Sequence, residues 1–330
     1  MKKILALILS IIMVTCAFAC DQQTGPEDEL RVTVVVAGGL GDRSFYDSAK
    51  SGLDRLIEDY GVIGNVIECN EDPSAYSVQI VNAAEQSDIV IAVGWQFYDV
   101  LTEYAPQLSD TKFIYVDEAV AGISNIYNIK YAQNEGSFLV GYIAGKISMT
   151  GKIGAVGGED SVTINDFMAG YKQGAEYANP GIEVQINYAG TYEDPAKGKE
   201  CALALYDQGC DIVFQVAGKT GEGVFEAAEE TGNYAIGVDS DQKYINPEVI
   251  ICSMMKRVGD SIYETIKAYI EDGTWNGGTT WTANMESGFV GVGYGDDTMT
   301  QQIDDELKAE VEEIIAKIVS GEIVVDTTRE

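Results

Sequence analysis

Short runs of β-branched and aliphatic residues alternate with helical patterns along most of the chain, and this alternation restricts the fold more than any other feature. Residues 31–37 form a nearly continuous β-branched run, which is typical of a parallel strand buried on both faces. Apolar residues then recur at helical spacing; Asp47 or Ser48 can cap this helix, and Gly61 can end it. The remaining predicted strands are residues 65–69, 88–94, 111–116, 152–156, 184–188, 211–216 and 234–238, and the remaining predicted helices are residues 76–85, 163–178, 195–208 and 303–318.

Two successive series of βαβ units with no low-complexity linker between them predict two doubly wound α/β lobes. Ligands of such sheets bind at the carboxyl ends of the strands, so two lobes that face each other would form a ligand cleft at their hinge. We expect lobe 1 to contain residues 31–132 and 251–283, and lobe 2 to contain residues 133–250 and 284–330.

The first twenty residues predict a secretory signal. Lys2 and Lys3 precede an almost unbroken aliphatic run, which is too short to span a hydrocarbon core of about 30 Å comfortably. Small residues just before Cys20 resemble the lipobox of bacterial lipoproteins. We therefore expect acylation of Cys20 after cleavage, with residues 21–30 as a tether, so that the protein is anchored on the extracytoplasmic face of the cell membrane. Cleavage near Ala19 without lipidation is the alternative.

Composition removes several classes of function. The sequence contains no histidine, which excludes Ser-His-Asp and Cys-His catalysis and His-ligated metals. The formal net charge of −32 opposes binding to nucleic-acid phosphates. Beyond the signal there is no CxxC motif or metal-like cluster, so we expect no metal and no cofactor. The remaining cysteines are expected to be buried thiols, namely Cys69, Cys201, Cys210 and Cys252.

Two glycine-rich loops are close to nucleotide-binding motifs. Residues 39–44 approach GxGxxG, and Glu68 lies where the acid of a dinucleotide site would lie; a secretory signal opposes this interpretation, because nicotinamide cofactors are not available outside the membrane. In the second loop Lys219 follows a strand, but Val213 occupies the position of the first Walker A glycine. We interpret both loops as strand-to-helix turns whose backbone N–H groups approach a small polar ligand.

Acidic and aromatic side chains at the predicted strand ends are candidate ligand contacts. Asp117 and Asp239 each follow a strand, and Asp42 lies in the first loop. Carboxylate oxygens accept hydrogen bonds, so opposed carboxylates suit neutral ligands rich in hydroxyl or amide groups. Aromatic rings would add stacking worth about 1–3 kcal/mol each. Each acid can instead cap a helix and each ring can instead belong to the core. The aromatic candidates are Phe45, Tyr46, Trp95, Phe97 and Phe214.

Eight motifs in register resemble those of the basic membrane protein family. The first is the Gly-Gly-x-x-Asp-x-Ser-Phe loop of residues 38–45, and the resemblance extends over about residues 31–290. It implies a type I periplasmic-binding-protein fold and a solute receptor of an ABC importer, with a transporter permease as partner; we expect a monomer. The other motifs are residues 88–94, 112–117, 136–142, 151–158, 194–199, 217–223 and 236–239.

The resemblance also implies individual contacts. In nucleoside-binding members, a phenylalanine from the first loop and one from the later lobe sandwich the base; the matching positions are Phe45 and Phe214. The family's ribose contacts match Asp239 and Lys256, and its pocket loop matches Gly218. The complete set of predicted ligand contacts is Asp42, Ser44, Phe45, Tyr46, Trp95, Asp117, Phe214, Gly218, Asp239 and Lys256.

Two positions depart from the nucleoside-binding pattern. Val36 replaces an aspartate near the end of the first strand, and Tyr46 replaces the asparagine after the Ser-Phe pair. Fewer polar groups and an added ring favour a larger or flatter ligand, as does the Trp95-Gln96 pair. A purine nucleoside is the expected ligand; riboflavin, which some relatives bind, or another aromatic ligand is the alternative. A ligand-sensing lipoprotein without transport and a glycosidase-like hydrolase using paired carboxylates remain open.

Overall fold

The computed structural model describes residues 29–327, so the predicted signal, Cys20 and most of the predicted tether lie outside the described residues. Twelve strands and nine α-helices follow one another within residues 29–327. The strands are β1 (Arg31–Val36), β2 (Ile63–Glu68), β3 (Ile89–Val93), β4 (Lys112–Val116), β5 (Ile126–Tyr131), β6 (Lys152–Gly157), β7 (Glu183–Tyr188), β8 (Ile212–Val216), β9 (Tyr234–Asp239), β10 (Ile250–Lys256), β11 (Thr280–Ala283) and β12 (Val290–Gly293). The helices are α1 (Phe45–Tyr60), α2 (Pro73–Gln86), α3 (Tyr98–Tyr104), α4 (Gln133–Ile147), α5 (Val162–Ala178), α6 (Pro195–Asp207), α7 (Glu222–Thr231), α8 (Val258–Asp272) and α9 (Asp305–Val319).

The strands form two six-stranded sheets, one in each lobe, which confirms the predicted pair of doubly wound α/β lobes. The order is β11-β5-β4-β3-β1-β2 in lobe 1 and β12-β10-β9-β8-β6-β7 in lobe 2. All neighbours are parallel except β10 and β12. Position by position, β1 corresponds to β6, β3 to β8, β4 to β9 and β5 to β10. The central strands are almost completely buried, as parallel strands covered by helices on both faces should be.

The chain crosses between the lobes three times, at Ala132, at Arg257 and within residues 284–289. Residues 251–256, which the sequence analysis assigned to lobe 1, instead belong to β10 of lobe 2, because β10 pairs with β9 and β12. Helices α4 and α8 directly follow the first two crossings. In lobe 2, α4 packs closely on α5, and in lobe 1, α8 packs closely on α1. A Cβ on Gly52 would lie 2.4 Å from the carbonyl oxygen of Gly259, so α1 and α8 approach each other at backbone contact. No helix within residues 29–327 combines the length and the hydropathy needed to cross a bilayer.

Helix α1 begins earlier than its predicted caps. The Asp42 carboxylate accepts the backbone N–H groups of Ser44, Tyr46 and Asp47 at 2.9–3.1 Å and so satisfies the first turn. Asp47 does not cap the helix; its carboxylate accepts the N–H groups of Gly41 and Arg43 in the preceding loop. Gly61 ends α1 in the left-handed conformation, as predicted.

The four cysteines of the described residues are all free thiols. Cys69, Cys210 and Cys252 are buried as predicted, whereas Cys201 is only partly buried. Burial raises the pKa of the Cys69 and Cys210 thiols to about 11, which keeps them protonated at neutral pH and unreactive.

Candidate functional site

A cavity lies between the lobes at the carboxyl ends of their central strands. It contains about 560 Å³ of space free of protein atoms, including its opening to solvent. Eight of the ten predicted contacts line it: Asp42, Phe45, Tyr46, Trp95, Asp117, Gly218, Asp239 and Lys256. Ser44 does not line the cavity but donates a hydrogen bond to Asp239, which does. Phe214 does not line the cavity.

Strand ends from both lobes build the polar end of the cavity. Asp117 follows β4 and Asp239 ends β9, and both have a left-handed backbone, with φ of 92° and 63°. Aspartate is one of the few residues that tolerate this region. Lys256 ends β10, is 2% exposed, and forms an ion pair with Asp117 across the lobes. The fold therefore holds two acids and one base together in a buried position.

Asp239 has one carboxylate oxygen available for a ligand. Its Oδ2 accepts a hydrogen bond from the Ser44 hydroxyl at 2.8 Å, whereas its buried Oδ1 has no partner within residues 29–327. Burial raises the pKa of Asp239 to about 6, and the Lys256 ammonium opposes this shift. An unsatisfied buried acceptor is costly, and a ligand hydroxyl would satisfy it.

Aromatic rings from opposite lobes flank the Lys256 ammonium. Its Nζ lies 4.8 Å from the ring centroid of Phe45, in α1, and 5.2 Å from that of Phe167, in α5. The Tyr131 ring, at the end of β5, lies 5.0 Å away. Phe45 and Phe167 both line the cavity, so a flat ligand at this end would meet one ring from each lobe.

Phe214 does not reach the cavity. It lies in the middle of β8, is 0% exposed, and its ring packs on Tyr171 with centroids 5.2 Å apart. Only residues near the carboxyl end of β8 face the cleft, and Val216 is the one that lines the cavity. Phe167 of lobe 2 lines the cavity, whereas Phe214, the phenylalanine of this lobe that the resemblance implies, does not.

The first glycine loop is occupied by carboxylates of the protein itself. The Gly39 N–H donates to Glu193 Oε1 at 2.8 Å, and the Leu40 N–H donates to Glu68 Oε2 at 2.7 Å. Asp42 and Asp47 take further N–H groups of the same segment. This loop therefore holds acids where a dinucleotide site would hold a pyrophosphate.

Asp42 lines the cavity but acts on the helix. Both of its oxygens accept backbone N–H groups of α1, and burial raises its pKa to about 7. Its partners fix the first turn of α1, where Phe45 and Tyr46 lie with their rings edge to face and centroids 5.3 Å apart. Asp42 thereby positions two aromatic residues of the lining.

Trp95 and Gln96 form the opposite wall of the cavity, directly after β3. Gly94 has φ of 123°, and a Cβ there would lie 2.6 Å from Gln96 Oε1, so the amide folds over the strand end. Gln96 Oε1 is buried without a hydrogen-bond partner among the described residues. The Tyr115 hydroxyl donates to the Trp95 carbonyl at 2.9 Å and fixes the backbone there.

Tyr192 and Glu193 line the cavity from the loop after β7, and sequence analysis did not identify them. Glu71 of lobe 1 accepts the Thr191 hydroxyl and the Tyr192 N–H, both at 2.8 Å. Burial raises the pKa of the Tyr192 hydroxyl. The same rule of strand ends that identified Asp117 could have identified this loop, because it directly follows a predicted strand.

Comparison with known proteins assigns a family. The family described as "ABC transporter substrate-binding protein PnrA-like" (Bmp) matches residues 29–328. The chain is 33% identical over 298 residues to "Basic membrane protein D" of Borreliella burgdorferi, covering 88% of this chain and 86% of that protein. It is 33% identical over 314 residues to "ABC transporter nucleoside-binding protein BmpA" of Lactococcus lactis, covering 88% of each. A solved solute-binding protein of an ABC transporter from Aeropyrum pernix superposes with a TM-score of 0.82 at 27% identity, covering 91% of this chain and 94% of that one.

Proposed function

The chain belongs to the Bmp family of ABC transporter substrate-binding proteins, and on that premise we propose that it captures a purine nucleoside in the cavity between its lobes. Proteins of this family bind a small molecule and deliver it to a membrane permease. One of the relatives is named as nucleoside-binding. The bound molecule is released unchanged, so binding and not catalysis is the property to measure.

The available oxygen of Asp239 carries the proposal. It is buried, it lines the cavity and it lacks a partner among residues 29–327. A ribose presents neighbouring hydroxyl groups, one of which can donate to Asp239 Oδ1 while another accepts from the Lys256 ammonium. Hydrogen bonds to charged groups of this kind contribute about 1.5–3 kcal/mol each.

The aromatic lining supports a flat heterocycle next to that ribose. Phe45 and Phe167 come from different lobes and both lie within 5.2 Å of Lys256 Nζ, measured to the ring centroids. Stacking on each ring is worth about 1–3 kcal/mol. Both rings contact the ligand together only when the lobes are closed, so stacking favours the closed form that a permease recognises.

Carboxylates around the cavity favour a nucleoside over a nucleotide. Glu68 and Glu193 already occupy N–H groups of the first glycine loop, and Asp239 and Asp117 lie at the polar end. A phosphate at either place would meet carboxylates, and the nearest lysines, Lys219 and Lys256, are already paired with Glu193 and Asp117. We therefore expect adenosine or guanosine to bind and their monophosphates not to bind.

Riboflavin is the second candidate ligand. Its isoalloxazine ring is flat and its ribityl chain carries hydroxyl groups, so the same two ends of the cavity suit it. Tyr46 and Trp95 add aromatic surface to the lining, and this observation favours a ligand wider than a purine.

We also propose that Cys20 carries an acyl anchor that keeps the protein, as a monomer, on the extracytoplasmic face of the membrane. Mass spectrometry of the N-terminal peptide tests this directly. Release of a Cys20→Ala variant into the medium would support it, and an unmodified cysteine on the mature wild-type protein would contradict it.

Calorimetric titration and thermal unfolding with a ligand panel test the proposed function. The panel contains adenosine, guanosine, inosine, free adenine, ribose, adenosine monophosphate and riboflavin. A ligand present at 100 times its Kd should stabilise the protein by about 2.7 kcal/mol. Binding of a nucleoside but not of its monophosphate supports the proposal. Binding of riboflavin alone would select the second candidate, and binding of neither would reject this assignment of the site.

A further inference from the structure

Two outer pockets adjoin the cavity and share lining residues with it, and each is formed by both lobes. The arginine pocket lies beside the start of α1 and is lined by residues that include Arg43, Ser51, Arg55, Ser240 and Arg257. The tryptophan pocket lies beside the start of α5 and is lined by residues that include Trp95, Gln96, Tyr98, Asp99, Val162 and Thr163. Since α1 follows β1 and α5 follows the corresponding strand β6, the two pockets occupy corresponding places in the two lobes.

Hydrogen bonds between the lobes separate the cavity from the arginine pocket. Asp239 lines both the cavity and this pocket, and the Ser44 hydroxyl of the other lobe holds its carboxylate. The Ser240 hydroxyl donates to the Ser44 carbonyl at 3.3 Å, and the Gln242 amide donates to the Arg43 carbonyl at 3.2 Å. Backbone and side-chain groups of both lobes therefore hold the wall between the cavity and the arginine pocket in place.

The side chains of Trp95 and Gln96 lie between the cavity and the tryptophan pocket. Trp95 and Gln96 line both spaces. The Gln96 Oε1 atom has no hydrogen-bond partner in the described part of the chain, so no bond to this atom opposes rotation of its side chain. Glutamine has several rotatable bonds, so this side chain can adopt other staggered rotamers.

The lining of the tryptophan pocket indicates what it accepts. Tyr98 and Val162 present apolar surface there and are 44% and 52% exposed. Asp99 and Glu118 also line the pocket, and neither lysine nor arginine contributes to this lining among residues 29–327. An alkyl or aromatic group would cover the apolar surface, whereas an anionic group would be repelled.

We propose that the tryptophan pocket is a subsite for an apolar substituent on the base, with Gln96 as its gate, so that the protein accepts base-substituted nucleosides. This inference rests on the proposed function, because the ribose must lie at Asp239 and Lys256 for the base to point toward Trp95 and Gln96. It makes the two ends of the ligand unequal: the base end can be extended, and the ribose end cannot.

Titration with two ligands that carry a benzyl group at different ends tests whether only the base end can be extended. N6-benzyladenosine carries a benzyl group on the base, and 5′-benzylthio-5′-deoxyadenosine carries it on the ribose. We expect the first to bind the wild-type protein at least as tightly as adenosine, and the second to bind at least about tenfold more weakly. Binding of adenosine with loss of N6-benzyladenosine would overturn this inference alone. Absence of binding by all three, together with absence of guanosine and inosine binding, would overturn the proposed function with it.

Variants of the two pockets provide the matched control. Val162→Trp fills the tryptophan pocket from an exposed position, and we expect it to lower the affinity ratio of N6-benzyladenosine to adenosine by about tenfold. Ser51→Trp places the same side chain in the arginine pocket and should leave that ratio unchanged. Gln96→Ala should raise the ratio, because it removes the gate. An equal ratio in the Val162→Trp, Ser51→Trp and wild-type proteins would overturn the subsite.

Discussion

The two lobes share one strand order but place different residues at corresponding strand ends. Asp117 after β4 corresponds to Asp239 at the end of β9, whereas Tyr131 at the end of β5 corresponds to Lys256 at the end of β10. Lys256 pairs with the acid of the other lobe, so Asp117 is neutralised and Asp239 keeps one oxygen available. The repeated architecture thus provides equivalent positions in the two lobes. Because one such position holds Tyr131 in lobe 1 and Lys256 in lobe 2, Asp117 has a structural role in an ion pair and Asp239 is available to a ligand.

Replacement of Lys256 should have the largest effect. Lys256→Met leaves the Asp117 carboxylate buried without its partner, and removal of one member of a buried pair costs about 3–5 kcal/mol. We expect urea unfolding to show a loss of this size and calorimetry to show no nucleoside binding.

A double variant separates the two losses. Asp117→Asn keeps a residue that tolerates the left-handed backbone, so Lys256→Met combined with Asp117→Asn should recover most of the stability and none of the binding. If Lys256→Met alone retains the stability of the wild-type protein, then the ion pair is not the structural element that we describe.

Replacement of Asp239 should lower nucleoside affinity without lowering stability. Asp239→Asn removes a buried ionised group, so the free energy of unfolding at pH 8 should not fall. The charged hydrogen bond to the ligand is lost, at about 1.5–3 kcal/mol, and nucleoside affinity should fall about 10- to 100-fold.

Asp241→Asn is the control for Asp239→Asn, since Asp241 lines the arginine pocket and not the cavity. Its affinity for the nucleoside should match that of the wild-type protein. An equal loss of affinity in both variants would mean that Asp239 acts through general charge and not through a contact.

Two phenylalanines of lobe 2 extend the comparison to the aromatic contacts. Phe167→Leu and Phe214→Leu remove the same ring from two buried positions, and each should lower stability by about 1 kcal/mol. Only Phe167 lines the cavity, so only Phe167→Leu should lose the stacking contribution of about 1–3 kcal/mol in calorimetric affinity. A larger loss of affinity in Phe214→Leu would restore the position implied by sequence resemblance.

These cases also show what the sequence could predict. Strands such as β1 and β4 were predictable because their burial depends on a local apolar run, and the acids at their ends follow from chain direction in parallel sheets. The site depends instead on contacts between distant segments: Asp117 and Lys256 are 139 residues apart. No local pattern shows that Lys256 is buried and paired with Asp117.

Helix α1 and its capping show a second limit. The Asp-x-Ser-Phe segment marked a loop that contacts the ligand, but the structure uses Asp42 to cap α1. A buried carboxylate serves a helix or a ligand according to which donors lie nearest in space, and the spacing of residues along the chain does not specify them.

Titration of Asp239 gives the smallest expected effect, and it changes stability and affinity in opposite directions. The pKa of Asp239 in the folded protein is about 6, above the ordinary value of 3.8. Without a ligand, this carboxylate therefore binds a proton more tightly in the folded protein than in the unfolded chain. Stability from this group is therefore greatest below about pH 4 and falls as the pH rises to about 6; Asp42, with a pKa of about 7, acts in the same direction. The ligand hydroxyl instead needs the ionised carboxylate, so nucleoside affinity should fall about tenfold from pH 7 to pH 5. Calorimetry at each pH measures this, and Asp239→Asn should remove most of the dependence. A pH dependence that remains in that variant with a midpoint near 7 would assign the effect to Asp42 and to the first turn of α1.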